Sequence, residues 1–148
     1  MIMQRRVASL KPYRKAVLVP AKTPVTKLVQ YYERQNTLSH LCVIDEHNEL
    51  LGLISRKTVF RTLFHCADFH QTPEQALPAS LDDLTAAAIM QKRFVSVSEH
   101  TTLKTALDLC LRHHLHELPV LAADSRLLGF ITTSGIARHW YRAAHYRT

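Results

Sequence analysis

The chain has 148 residues, 47% of them hydrophobic, and a formal net charge of +7 with histidine counted as neutral. That length suits one ordinary domain or two small units, and no run of about 18 uncharged apolar residues is present to cross a bilayer. No acid precedes Glu33 and none follows Asp124, so both ends are basic, which suits either an anionic partner or a solvated surface.

In chain order, the opening MIMQRRVASLKPYRK lacks the apolar stretch of a secretory signal. A strand is expected at Ala16–Val19. Thr23-Pro24 then reads as an N-cap followed by proline at the first helical position, and Val25, Leu28, Val29 and Tyr32 recur with helical spacing. Two short apolar runs, 41–44 and 50–54, flank the polar turn Glu46-His47-Asn48-Glu49 and predict a hairpin. Val59, Phe60, Leu63 and Phe64 form a second helical stripe. The stretch FHCADFHQTPEQALPAS (64–80) reads as a linker, after which Ser80 and Asp83 resemble a capping box for a short helix through Ile89. A strand at Phe94–Val97 follows. Thr101 opens a helix carrying Leu103, Ala106, Leu107, Cys110 and Leu111. A hairpin of 118–121 and 127–131 turns at Asp124-Ser125-Arg126, and Ile136, Ala137, Trp140 and Tyr141 make the last stripe.

The order β-α-β-β-α thus occurs twice, and the residues themselves repeat. Shifted by about 77 positions, LSHLCVIDEHNELLGLISRKTVFR (38–61) lies on LHELPVLAADSRLLGFITTSGIAR (115–138), with Leu50, Leu51, Gly52 and Ile54 meeting Leu127, Leu128, Gly129 and Ile131. The expectation is a mixed α+β fold of two repeats, residues 1–75 and 76–148, packed with pseudo-twofold symmetry around one shared core, because neither copy alone is large.

The chemistry concentrates where the second hairpin arm meets the last helix. Ser55 and Thr132 are natural N-caps there, and a helix start also favours a bound anion. Arg56 and Lys57 place cations in a first turn that prefers acids, so they are candidates to meet phosphates. Gly135 weakens its helix by up to about 1 kcal/mol and leaves room beside it. His40 and Glu117 occupy equivalent positions just before the central strands. His113, His114 and His116, and Cys66 with His70, do not form a zinc-ligand pattern. No phosphate-binding glycine loop, nucleophile elbow or metalloprotease motif occurs, so no enzyme is expected. Cys42 and Cys110 lie in apolar runs and no CxxC pair exists, which suits a reducing, cytoplasmic compartment without membrane contact.

This arrangement resembles the cystathionine-β-synthase (CBS) domain in its tandem pair, the Bateman module, over roughly residues 10–145. The second copy carries the likeness most closely, with its Ile-Met, Val-Ser-Val, Leu-Pro-Val and Gly-Phe-Ile-Thr; the first has Cys42 where Pro119 stands. The resemblance implies a stand-alone regulatory pair that binds AMP, ADP or ATP in clefts between the copies, forms a homodimer and is read by a regulated partner protein. It places Ser55, Thr58, Thr132, Thr133 and Gly135 along the Gly-x-x-Thr/Ser-x-x-Asp motif for ribose and phosphate, His40 and Glu117 at the cleft, and Val19, Val95 and Ser96 by the base. The motif's Asp is replaced by Thr58 and Gly135, so the two sites should not bind alike. The missing Asp also leaves open a ligand-free module that homodimerises through its paired helices, and a third reading is nucleic-acid binding through the basic ends, where Arg5, Arg6, Tyr13, Arg14, Tyr141, Arg142, Tyr146 and Arg147 offer cations beside aromatics without a recognised nucleic-acid motif.

Overall fold

The computed structural model describes residues 2–35, 37–66 and 83–145. The chain is α+β, with five α-helices and two small sheets among these residues. A short strand β1 (Leu18–Pro20) leads to helix α1 (Val25–Arg34), the hairpin β2 (His40–Ile44) and β3 (Leu50–Ser55), and helix α2 (Arg56–Cys66). Helix α3 (Ala86–Ile89) precedes α4 (Leu103–His113), the hairpin β4 (Glu117–Leu121) and β5 (Leu127–Thr132), and α5 (Thr133–His145). Two 3-10 turns, Ile2–Gln4 and Val7–Leu10, open the chain.

Both expected hairpins form, and they are alike in detail. Val43 pairs with Gly52 and Ile44 with Leu50; Val120 pairs with Gly129 and Leu121 with Leu127. Each hairpin therefore carries a bulge at the second leucine of its Leu-Leu-Gly phrase. The leading strands differ. β1 runs parallel to β2, and its ladder begins where Cys42 N–H donates to Val17 O at 2.9 Å. The strand expected at Phe94–Val97 is reduced to one parallel bridge, Val97 with Val120. Pro119 stands where Cys42 does and has no N–H to give, so the ladder stops there.

The chain divides into two compact units, Val17–Phe94 and Met1–Ala16 with Val95–Thr148. The expected boundary at 75/76, the capping residue Ser80 and most of the linker lie outside the described residues, and α2 continues through Cys66, past the linker's expected start. The units are not the two sequence copies, because the leading segments have changed places. In the first unit Val25 N–H donates to Leu84 O and Ala86 N–H to Thr23 O, both at 2.8 Å. In the second, Leu103 N–H donates to Arg5 O at 2.8 Å and Val7 N–H to Thr101 O at 2.7 Å. These bonds satisfy the first amide of each helix, which no intrahelical carbonyl can reach. They also move the first helix start: Pro24, not Thr23, holds the N-cap position and makes no side-chain cap, and Thr102, not Thr101, caps the equivalent helix by accepting from Thr105 N–H.

Further along, Leu53 and Gln91 exchange two backbone bonds, as do Phe130 and Arg14. The glycine before each strand residue lets the crossing segment approach. A Cβ on Gly52 would lie 2.9 Å from Gln91 O, and one on Gly129 would lie 2.9 Å from Arg14 O. Each unit has its own buried cluster: Ala86 completes the one around Leu28, Leu41 and Ile54, and Val7 completes the one around Leu103, Leu118 and Ile131.

The segment before Ala16 is further held by Tyr13, whose hydroxyl donates to Glu99 Oε2 at 2.6 Å, and by Lys11 Nζ, 2.7 Å from the same oxygen. The Lys11 and Tyr13 bonds hold the Glu99 carboxyl below its ordinary range, while burial and then Glu99 push the Tyr13 hydroxyl well up. A lowered carboxyl pKa adds stability above its unfolded value and loses it as pH falls through the folded value. Glu99→Gln should therefore lower the urea midpoint at neutral pH and leave it unchanged only in acid below the lowered folded-state value; an equal loss at both pH values would exclude this linkage.

Candidate functional site

Ser55 and Thr132 end their strands and begin their helices in the same geometry. Ser55 Oγ accepts from Thr58 N–H at 3.1 Å, and Thr132 Oγ1 accepts from Gly135 N–H at 2.9 Å. Both are therefore true N-caps, each worth about 1 kcal/mol. The backbone of the next residue is also held: Arg56 N–H donates to Ser39 O and Thr133 N–H to His116 O.

Across the hairpin, His40 pairs directly with Ser55, and Glu117 with Thr132. The first unit thus gathers His40, Ser55 and Thr58, with the Thr58 and Ser55 hydroxyls 3.0 Å apart. The second gathers Glu117, Thr132 and Gly135. A Cβ added at Gly135 would meet only the Thr132 hydroxyl, at 3.1 Å, so the space beside this helix start is open.

Other candidate residues are placed differently. Arg56 does not project with Lys57. Its Nη2 donates to Leu38 O at 2.9 Å, and its guanidinium lies over the Tyr32 ring, 5.5 Å from the centroid, a cation–π contact that ties α2 to α1. Lys57 is exposed and lines an open pocket of about 400 Å³ with Phe60, Arg61 and Phe64. Val19 is fully buried in the first core, whereas Val95 and Ser96 are half-buried. The Thr133 side chain borders a pocket of about 350 Å³ with Met3, Leu107, Ile136, Ala137 and Trp140. His114 ends α4 in a left-handed conformation, φ 55°. Among the described residues no three His, Cys, Asp or Glu side chains come together as a metal site, and His70 lies outside them. No described helix is long and apolar enough to cross a membrane.

Sequence reasoning missed one member of the second group. Glu117, the one buried charged side chain among the described residues, is met by Arg14 Nη1 at 3.2 Å. Arg14 reaches it because the segment before Ala16 pairs with β5. The only signal in the sequence was that Arg14 falls on Gln91 at the repeat shift, where a crossing segment recurs.

A family model described as CBS domain matches residues 2–65 and 86–141. An uncharacterized 17.7 kDa protein of Acidianus ambivalens is 24% identical over 107 residues, 71% of this chain, and the chain spans 56% of that relative's length. Among solved structures, CBSX2 in complex with AMP is 21% identical with a TM-score of 0.72, covering 95% of this chain and 99% of that one. The CBS domain pair of protein MJ0100, in complex with 5-methylthioadenosine and S-adenosyl-L-methionine, is 16% identical with a TM-score of 0.66, covering 91% and 98%. At these identities the likeness establishes a shared fold.

Proposed function

Since the chain belongs to the CBS domain family, we propose that it is a regulatory module that binds an adenosine-containing ligand: AMP, ADP, ATP or a related adenosyl compound. One observation carries this reading. The same hydroxyl-capped junction is built twice, each time with a polar side chain directly across the hairpin, His40 by Ser55 and Glu117 by Thr132, in a fold whose solved neighbours hold AMP and S-adenosyl-L-methionine. Ser55, Thr58 and Thr132 would meet ribose or phosphate oxygens, with Val95 and Ser96 beside the base. Arg56 is committed to Leu38 and Tyr32, so of the two cations Lys57 is the one left for phosphate. Binding would act by shifting the population of conformations that a partner protein recognises, not by catalysis.

A thermal-shift panel of AMP, ADP, ATP, NAD and S-adenosylmethionine tests the reading. A native-state ligand at about 100 times its Kd adds about 2.7 kcal/mol, several degrees in Tm for a chain of this size. A flat response to all five would sink it. A second copy as partner is favoured by α2, whose Phe64 is 60% exposed and stacks on Phe60 at 6.3 Å; sedimentation equilibrium of the native chain against Phe64→Asp measures that.

A further inference from the structure

The second unit, Met1–Ala16 with Val95–Thr148, buries the Glu117 carboxylate against Arg14. The Glu117 side chain is 8% exposed and the Arg14 side chain 46%, with Nη1 3.2 Å from Glu117 Oε2. Such a pair adds little stability, because desolvation offsets the attraction, but it fixes where the guanidinium stands. The backbone of Arg14 is fixed as well: Arg14 and Phe130 exchange two bonds of 2.9 Å. Only Nη1 is engaged, so Nε and Nη2 keep donors with no hydrogen-bond acceptor among the described residues.

Paired residues on neighbouring strands point to one face, as do residues two apart along a strand. Arg14 pairs with Phe130, and Thr132 with Glu117, so Arg14, Thr132 and Glu117 share one face of the second unit's sheet. Arg14 lies along one edge of β5 and Glu117 stands on β4 along the other, so the Arg14 side chain crosses β5 beside Thr132. Thr132 Oγ1 accepts from Gly135 N–H and keeps its own hydrogen to donate, and Gly135 leaves the space there open. The first unit has a neutral residue in place of this cation: at the repeat shift Gln91 falls on Arg14, and His40 on Glu117. The net charge has the same bias. Val17–Phe94 carries eight Lys and Arg against eight Asp and Glu, whereas the second unit carries eleven against four, so an anionic ligand is drawn to the second unit.

We propose that Arg14 makes the second unit's site select an adenosyl ligand that carries a phosphate, with Glu117 as the positioning residue that holds the guanidinium in place. The Nε and Nη2 donors of Arg14 take two oxygens of the phosphate side by side, and the Thr132 hydroxyl donates to the phosphate or to the ribose. A single clamped guanidinium matches one phosphate group, not the repeating charge of a polyanion. The proposal rests on the reading of the chain as an adenosyl-ligand module, and it names the group which that ligand must carry. It also gives the segment exchange a use in binding, because the cation reaches Thr132 only by way of the segment before Ala16.

Calorimetric titration of AMP, adenosine and inorganic phosphate into the full chain provides the test. AMP should bind about 10–100-fold more tightly than adenosine, the worth of one or two hydrogen bonds to a charged group. Arg14→Gln alone would leave the Glu117 carboxylate buried without its cation, so it is combined with Glu117→Gln, and urea midpoints confirm the fold. The double variant should bring AMP down to the affinity of adenosine and leave adenosine unchanged, a selective loss that a merely structural role would not produce. Arg14→Lys keeps the charge but loses the fork, so it should keep a smaller preference for AMP; this variant retains a cation for Glu117 and carries the test if the double variant does not fold. An AMP-to-adenosine ratio that neither variant lowers overturns the proposal and leaves the adenosyl reading standing. Inorganic phosphate that displaces AMP at equal concentration also overturns it, since the site would then hold an anion without a nucleoside. Silence to both AMP and adenosine sinks the proposal together with the reading beneath it.

Discussion

Gly129→Ala is expected to destabilise the fold by about 2–4 kcal/mol, the largest loss from a Cβ added at any of the three glycines. Two costs add. Gly129 has φ +149°, a conformation that costs a side-chain-bearing residue about 1–3 kcal/mol. The new Cβ would also stand 2.7 Å from Tyr13 Cβ and 2.9 Å from Arg14 O, and such overpacking costs about 1–3 kcal/mol. The clash has no easy relief, because Arg14 is held to Phe130 by two backbone bonds of 2.9 Å. The segment before Ala16 would have to lift, loosening Val7 from the second core and Arg14 from Glu117. Gly52→Ala is the internal control. It meets Met90 side-chain atoms at 2.8 Å and Gln91 O at 2.9 Å without the positive φ, so its cost should be smaller, about 1–3 kcal/mol. Urea midpoints at constant m-value measure both. If Gly129→Ala unfolds no earlier than Gly52→Ala, backbone strain is not what the glycine relieves.

Gly135→Asp is expected to raise affinity for an adenine nucleotide by about 10–100-fold, the worth of one or two hydrogen bonds to a charged group. The residue sits at the third position of α5, where its N–H already bonds the Thr132 hydroxyl. A side chain there displaces only that hydroxyl's edge. An acid in the first helical turn is favourable, and glycine is a poor helix former, so the urea midpoint should hold or rise. Thr58→Asp should gain less, because it forfeits the Thr58–Ser55 hydroxyl contact. Calorimetric titration of AMP into the native chain and both variants decides it. No gain at Gly135 with an intact fold would mean that ribose does not lie at this helix start.

Much of this architecture was legible because local pattern and tertiary need coincide. Val25, Leu28 and Tyr32 recur at helical spacing, and all three are buried. The paired Leu-Leu-Gly phrases marked two hairpin arms, and both arms are there with matching bulges. Ser55 and Thr132 were readable as caps because an N-cap needs only its own helix start. Arg56 was less legible. Its place in the first turn suggested a phosphate, but Tyr32 and the Leu38 carbonyl, distant in sequence, take its guanidinium. The second leading strand failed at Pro119, a position the sequence displays but whose missing N–H matters only once its neighbour is known.

The sequence by itself determined that one unit is used twice, where both hairpins and the four longer helices lie to within a residue or two, and which hydroxyls cap the last helices; the short helix expected from Ser80 through Ile89 instead begins at Ala86, with Thr85 at its N-cap. These depend on periodicity, turn chemistry and capping, all of which act within a few residues. Only the tertiary structure decided which copy each leading segment serves. The first amides of α1 and α4 need backbone carbonyls from outside their helices, and any extended segment offers those without a side-chain signature. Leu84 and Arg5 supply them across the copies. That choice completes the buried cluster of each unit, brings Arg14 to Glu117, and puts the entire net charge of +7 on one unit.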